Sequence, residues 1–360
     1  MRSAGGKGCS ESACGGRRDA PPAPGVTPLP RPAPGDSFAP GGPLTYDPFV
    51  NNGLSCMRTP TTLLAAFSLA CLAHFGAVLA AVTAIDPNAL YPEGPLWDQG
   101  RLLYVEYAGP GIKSWDGKDA KIWWHRERCG ANALIHFRGD HVLVACYDGN
   151  YLVELDAAGK QVRTFDRDSA GKTFVGPNDF SSDGHGGVYF SASGVYDVKA
   201  PITGTVLHLS AGGQEMRVVA DTIHYSNGLT LSKDGKHLLV AEMLAGRVLS
   251  FPIGDHGALG PRSVWARLQD LAPPTPNEDA YNGPDGIKLG PDGNYYIAQN
   301  GSGRVLVVTD EKKLVREIDV PTPYVTNVGF GANGADVVFI TGAFDPWKAP
   351  FPGGVYRWTP

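Results

Sequence analysis

The chain has 360 residues, 42% of them hydrophobic, with 47 glycines, 30 prolines and a formal net charge of −5. This apolar fraction is enough for a sizeable core, and the length allows one large all-β domain as readily as several small ones. The acidic balance and the lack of a basic cluster argue against nucleic acid as a partner.

Residues 1–56 are rich in Gly, Pro, Ala and Ser and show almost no apolar periodicity. Such a segment cannot bury enough surface to offset the conformational entropy that is lost when a chain becomes ordered. We therefore expect either a disordered Pro/Gly-rich extension or a stretch upstream of the true start codon.

The segment 57–84 has the features of a secretory signal peptide that starts at Met57. Arg58 supplies one positive charge, an uncharged run rich in Leu and Ala follows, and small residues lead up to Ala84. The sequence therefore predicts a periplasmic or secreted domain that leaves the membrane after cleavage. A membrane-spanning helix is the alternative, since the run is long enough to span; the Ala-Val-Thr-Ala ending favours cleavage.

Two cysteines, Cys129 and Cys146, lie beyond the predicted leader. Two cysteines in an exported domain suggest one disulfide bond. Two buried thiols are the alternative, because Cys146 ends an apolar run that begins after His141.

A pattern recurs six times in the 276 residues from Ile85 onward. Each copy has an acidic or amide residue, a short apolar run, a Gly-containing turn and a second strand-like run. We call the leading residues the channel residues: Glu93, Asn132, Asn178, Asn227, Asp285 and Asn327. The mean unit of 46 residues matches one four-stranded propeller blade. The sequence thus predicts an all-β, six-bladed β-propeller over 85–360, with residues near 85–90 completing the last blade.

The tripeptide Pro-Asp-Gly occurs twice in the fifth copy, and the repeat register gives the two aspartates different roles. Asp292 lies between two strand-like runs, which is typical of a hairpin turn. Asp285 precedes the first run. In a propeller the first strand of each blade lines the central channel, so we expect Asp285 and the other channel residues to converge at one end of it.

The channel residues comprise two carboxylates and four amides, with no His or Cys among them. Hard divalent cations prefer such oxygen donors. We therefore predict one divalent cation, with calcium favoured and zinc, manganese and magnesium as alternatives. Any single Asn-Gly or Pro-Asp-Gly is more often a turn, but Glu93 is not a turn former.

Four motifs resemble those of the SMP-30/gluconolactonase family, and they occur in the family's order. They are Glu93-Gly-Pro95, Gly176-Pro-Asn-Asp179, Ser226-Asn-Gly-Leu229 and Gly283-Pro-Asp-Gly-Ile287. The resemblance covers about residues 85–360 and implies a six-bladed propeller with one divalent cation that typically hydrolyses sugar lactones.

The resemblance also implies roles for individual residues. Glu93, Asn227 and Asp285 match the metal ligands, and Asn178 matches an Asn that binds metal or substrate. Gly176 departs from the animal members, which carry an Arg there that contacts the substrate. The sugar specificity of those members is therefore not transferred.

For the reaction we predict a lactonase in which Asp285 is both metal ligand and catalytic base, with His224 as the alternative base. Asn132, Asn178 and Asn327 are predicted to line the substrate site. Two long loops could wall it with aromatic side chains: Tyr196 in one, Phe344 and Trp347 in the other.

Two further functions stay open from the sequence. One is organophosphate or aryl-ester hydrolysis at the same metal site, and the other is a non-enzymatic binding scaffold. For the enzyme, we expect a small-molecule substrate and a monomer or small homo-oligomer.

Overall fold

The computed structural model describes residues 81–276, 281–332 and 334–360. The predicted extension 1–56 and the predicted leader up to residue 80 lie outside these residues. The described chain is all β, as predicted, apart from short helical turns. In these three ranges no helix is long and apolar enough to cross a membrane.

Successive apolar runs separated by Gly-containing turns form antiparallel strands, as expected for alternating or fully buried runs bounded by turn residues. Thirteen strands precede residue 224: β1 (Ala81–Leu90), β2 (Pro92–Asp98), β3 (Arg101–Glu106), β4 (Gly111–Trp115), β5 (Ala120–Trp124), β6 (Ala131–Phe137), β7 (His141–Cys146), β8 (Tyr151–Leu155), β9 (Gln161–Phe165), β10 (Pro177–Ser182), β11 (Val188–Ala192), β12 (Gly204–Leu209) and β13 (Met216–Ile223). The later strands are β14 (Ser226–Leu231), β15 (His237–Glu242), β16 (Arg247–Pro252), β17 (Ser263–Arg267), β18 (Gly283–Leu289), β19 (Tyr295–Asn300), β20 (Arg304–Val308), β21 (Leu314–Asp319), β22 (Tyr324–Gly331), β23 (Gly334–Ala343) and β24 (Pro352–Thr359). The helical pieces are α1 (Leu268–Leu271) and the 3-10 turns Met243–Ala245 and Asp255–Gly257.

The strands form four separate four-stranded sheets, β2–β5, β6–β9, β10–β13 and β14–β17, and one eight-stranded sheet. In the larger sheet, β18–β21 is joined to β22–β24 through one residue pair, Asn300 with Tyr324. Strand β1 pairs antiparallel with β24, so the segment before Glu93 completes the last layer. The arrangement is propeller-like.

The hydrophobic core of the described chain consists of six clusters, each between two groups of strands that follow one another along the chain. One cluster joins the last layer to the first, where Phe339 and Val355 pack with Leu102 and Tyr104. Full burial of such side chains contributes about 1.5–3 kcal/mol each. The apolar packing therefore runs through every layer and closes upon itself.

The first strand of each layer is innermost. Strands β2, β6, β10, β14, β18 and β22 contact one another in that order, and β22 also contacts β2. Each of these strands also breaks its pairing register close to its channel residue, for example between Pro177 and Phe180 and between Pro284 and Ile287. Such bulges redirect side chains, so residues around the channel positions depart from the regular alternation.

Cys129 and Cys146 form a disulfide bond with a Cα–Cα distance of 4.5 Å. The bond joins the segment before β6 to the end of β7 and lies in the core cluster between the first two layers. Both cysteines are buried.

Reduction of this disulfide should lower the free energy of unfolding by about 2–4 kcal/mol, since the bond restricts a short loop in the unfolded chain. Urea unfolding with and without a reductant measures the difference. A Cys129→Ala/Cys146→Ala variant is the control and should show no response to the reductant. An equal response in both proteins would contradict the expectation.

Candidate functional site

The six channel residues are all buried, with 1–8% of their surface exposed. Each lies at or beside the register shift of its strand. Each lies on a different strand, in chain order β2, β6, β10, β14, β18 and β22.

The Glu93 carboxylate is held by two donors. Its Oε2 atom accepts hydrogen bonds from the backbone amide of Gly94 at 2.8 Å and from Asn327 Nδ2 at 3.0 Å. The same Asn327 nitrogen also lies 3.3 Å from Asp179 Oδ2. One amide group therefore bridges two acidic side chains from different strands.

The Asp285 carboxylate accepts a hydrogen bond from Asn300 Nδ2 at 2.9 Å. Asp292 behaves differently: its Oδ1 accepts a bond from the backbone amide of Asn294 in the β18–β19 turn. The two Pro-Asp-Gly copies thus take the positions that the repeat register predicts. Asp285 lies inside β18, and Asp292 is exposed.

The remaining amides contribute in other ways. Asn132 Nδ2 donates to the carbonyl oxygen of Asn178 at 3.3 Å. Asn227 Nδ2 lies 3.3 Å from the Met243 sulfur, and the Asn327 Oδ1 atom accepts the amide of Val328. The structure therefore connects Asn132 with Asn178 and Asn327 with Glu93, while Asn227 contacts Met243.

Lys288 is a part of the site that sequence reasoning missed. Its Nζ atom lies 2.8 and 2.7 Å from the two oxygens of Asp179, which also accepts the backbone amide of Phe180. A lysine within the short apolar run after Asp285 was the signal that could have identified it. The ion pair joins β18 to β10 and neutralises Asp179.

The pKa values of Glu93 and Asp285 are both raised by their surroundings. Burial, together with the charge of Asp179, raises the pKa of Glu93 to about 8. Burial and then the charge of Glu93 hold the pKa of Asp285 well above its usual range. Desolvation and like-charge repulsion both penalise the ionised forms. Glu93 and Asp285 therefore lie close enough for the charge of one to raise the pKa of the other.

The donor set suits a hard divalent cation. Glu93 and Asp285 supply two negative charges, which one divalent ion would balance, and the oxygens of nearby amides complete an oxygen-rich set. Lys288 already balances Asp179. In the described ranges, no three His, Cys, Asp or Glu side chains come together as a metal cluster, so a site here would use amide oxygens as well as carboxylates.

Aromatic side chains form a continuous arc beside the channel residues. Ring centroids are 5.6 Å apart between Tyr91 and Tyr107, 5.9 Å between Tyr107 and Tyr147, and 4.7 Å between Tyr196 and Tyr225. A 2.9 Å contact between the hydroxyls of Tyr147 and Tyr225 links the two halves. Loops between second and third strands thus meet the starts of first strands at one end.

The arc continues to the surface at Trp347. Tyr196 stacks on Trp347 with centroids 5.9 Å apart, and Trp347 is 55% exposed. At the other end, burial and the charges of nearby groups including Asp285 and Glu93 hold the pKa of Tyr91 well above its usual range. The arc therefore runs from the carboxylates to solvent.

The sequence profile of the SMP-30/Gluconolactonase/LRE-like region matches residues 91–344, which contain all six channel residues. The chain belongs to this family. A lactonase, drp35, of Staphylococcus saprophyticus is 26% identical over 66% of this chain and 72% of its own length.

Two solved structures share the fold of this family member. A gluconolactonase from Xanthomonas campestris superposes with a TM-score of 0.64 at 21% identity, covering 78% of this chain and 89% of its own. The calcium-binding protein regucalcin from Agrobacterium tumefaciens gives 0.61 at 17% identity, covering 77% and 93%.

In this family member a cavity of about 400 Å³ lies at the opposite end of the inner strands. Its lining includes Leu96, Trp97, Phe180 and Phe330, and none of the channel residues. Lys288 also lines it, so the Asp179–Lys288 pair lies between the cavity and the channel residues.

His224, the alternative base, lies three residues before Asn227. Its backbone amide donates to Glu242 Oε1 at 2.9 Å, and its Nε2 atom is buried without a hydrogen-bond partner in the described chain. Phe344, the other predicted wall residue, is 43% exposed.

Close approach of the inner strands depends on glycine. A Cβ atom on Gly228 would lie 2.4 Å from the backbone oxygen of Asp285 and 2.4 Å from the backbone nitrogen of Ile287. A Cβ on Gly286 would likewise meet the Asn327 side chain at 2.2 Å. A side chain at either position would push neighbouring inner strands apart.

Gly228→Ala should therefore lower the free energy of unfolding by about 1–3 kcal/mol through overpacking. Gly254→Ala is a matched control, because the atom nearest to its new Cβ would be 3.8 Å away and its φ is −102°. That change should stay within about 0.5 kcal/mol. Urea unfolding of both variants measures the difference, and equal values would contradict the close-approach explanation.

Proposed function

We propose that this protein is a metal-dependent hydrolase that opens a lactone ring in a six-bladed β-propeller. The observation that carries the proposal is the burial of Glu93 and Asp285 beside channel amides on six converging inner strands. The names of the lactonase relative and of the gluconolactonase structure support the reaction class.

The eight-stranded sheet counts as two blades, because only one residue pair joins β18–β21 to the rest of the sheet. With the four separate sheets this gives six blades. Two further observations support this count: the closed cycle of six inner strands and the six core clusters between layers.

We propose Glu93, Asn178, Asn227 and Asp285 as the metal ligands. A divalent cation held by them would polarise the lactone carbonyl as a Lewis acid. The calcium-binding regucalcin structure shares the fold, which supports calcium as the first ion to test.

The protein's own groups then have defined tasks. Asn300 orients the Asp285 carboxylate, which accepts a proton from the attacking water. The water oxygen bonds to the carbonyl carbon, the ring C–O bond breaks, and the proton passes to the departing ring oxygen. Asn327 holds the Glu93 carboxylate through a hydrogen bond.

Asp285→Asn should lower kcat/KM on lactones by about 10²–10⁴-fold, the usual contribution of a positioned base. Asp292→Asn is the matched control, since it has the same Pro-Asp-Gly context but lies in a turn. It should keep full activity.

The assay should use sugar and aliphatic lactones, an aryl ester and an organophosphate, after chelation and with calcium, zinc, manganese or magnesium added back. Asp285→Asn should unfold at the wild-type temperature or higher in chelator, because burial disfavours the charged aspartate, and should lose the increase that metal gives the wild type. Hydrolysis that survives chelation and the variant would refute the metal mechanism. Turnover of the organophosphate alone would favour the alternative reaction, and no turnover would favour a binding scaffold.

We also propose export with removal of the leader predicted at 57–84. Residues Ala81–Ala84 of β1 pair with β24, so cleavage after Ala84 would leave Ile85–Leu90 on that strand. The exported protein should begin at Ile85, and intact mass measures this. A mass that retains Met57 would instead support an uncleaved membrane helix.

A further inference from the structure

Two tyrosines have a backbone conformation that strongly favours glycine. Tyr91 has φ 47° and Tyr225 has φ 62°, and each lies two residues before a proposed metal ligand. The equivalent positions before Asn132 and Asn178 are Gly130 and Gly176, with φ 55° and 64°. Left-handed backbone is unfavourable for a bulky L-residue and collects at functional sites.

Tyrosine therefore occupies this position in two of the repeated units, whereas two other units have glycine, which this backbone conformation favours. Local structure does not account for this choice, because Gly130 and Gly176 make the same turn before Asn132 and Asn178. The two tyrosines do share something else: both belong to the aromatic arc, Tyr91 through Tyr107 and Tyr225 through Tyr147 and Tyr196.

The charges around the arc restrict what it can contact. The Tyr107 hydroxyl donates to Asp148 Oδ1 at 2.9 Å, which places a carboxylate beside the arc. The Lys288 ammonium group already forms hydrogen bonds to both carboxylate oxygens of Asp179. A negatively charged ligand group beside Tyr107 would meet like charge, which is costly.

We propose that Tyr91 and Tyr225 are specificity-determining residues whose ring faces contact the ring of a neutral lactone with an apolar face. This inference rests on the lactone hydrolysis proposed above, and it names the substrate class of that site. Aromatic faces pack well against flat apolar rings, and the arc extends this surface to Trp347.

The test uses Tyr91→Asn and Tyr225→Asn, because Asn tolerates left-handed backbone. With dihydrocoumarin, a neutral aryl lactone, KM should rise about tenfold or more while kcat changes little, since ring contacts are lost but the metal ligands remain. Tyr91→Phe should keep the wild-type KM because it keeps the ring face. For the wild type, a carboxylated dihydrocoumarin should have a KM at least about tenfold higher than the neutral compound.

Gln99→Asn is the matched control, because Gln99 has the same φ of 47° as Tyr91 and lies in the exposed β2–β3 turn. It should leave KM unchanged. Thermal unfolding of all four variants should shift by only a few degrees, which separates loss of contact from loss of fold.

Binding of dihydroquinolinone, the non-hydrolysed lactam counterpart, provides a readout without turnover by calorimetry. Weaker binding by both Asn variants supports the inference even if no lactone is hydrolysed. The absence of hydrolysis would refute only the proposed reaction. Wild-type affinity in both variants, or no binding by the wild type, overturns the inference. If the Asn variants bind the lactam as tightly as the wild type while Asp285→Asn abolishes hydrolysis, the proposed function stands and the inference about Tyr91 and Tyr225 is wrong.

Discussion

Glu93 and Asp285 place two carboxyl groups in a region that water hardly reaches, and the surrounding structure compensates for the cost of burying them. An isolated buried carboxylate is strongly unfavourable unless it is paired, hydrogen-bonded or neutralised by a proton or metal ion. Asn327 and Asn300 donate to the two carboxylates, and Lys288 removes the charge of the adjacent Asp179. When both are ionised, Glu93 and Asp285 form one pair of like charges, which the divalent cation of the proposed site would balance.

Backbone features bring these charges together. The register shifts in the inner strands redirect side chains near the channel positions, and Gly228 and Gly286 let adjacent strands approach within contact of backbone or amide groups. The six clusters of apolar side chains between layers hold the inner strands in place. The site is therefore built on rigid strands, which preserve the geometry of a binding constellation better than loops do.

The aromatic arc shows a different use of the loops. Tyr91 and Tyr225 accept unfavourable backbone conformations next to the proposed ligands, and Tyr196 and Trp347 extend the same surface outward. In the proposed function the inner strands hold the reacting groups, and in the proposed specificity the arc contacts the ring of the substrate. The far cavity is separated from this end by the Asp179–Lys288 pair, so the two ends of the inner strands present different chemistry.

The sequence by itself determined the all-β architecture, the closing role of the segment before Glu93 and the register that separates Asp285 from Asp292. It could do so because strand alternation, turn residues and a repeat of near-constant length are local properties of the chain. It also singled out Tyr196 and Trp347, because their loops are unusually long. Only the tertiary structure revealed Lys288 on Asp179, Asn300 on Asp285 and the arc through Tyr91 and Tyr225. These contacts join residues from different strands or loops, and the bulges and left-handed turns that create them depart from the regular periodicity that a sequence displays.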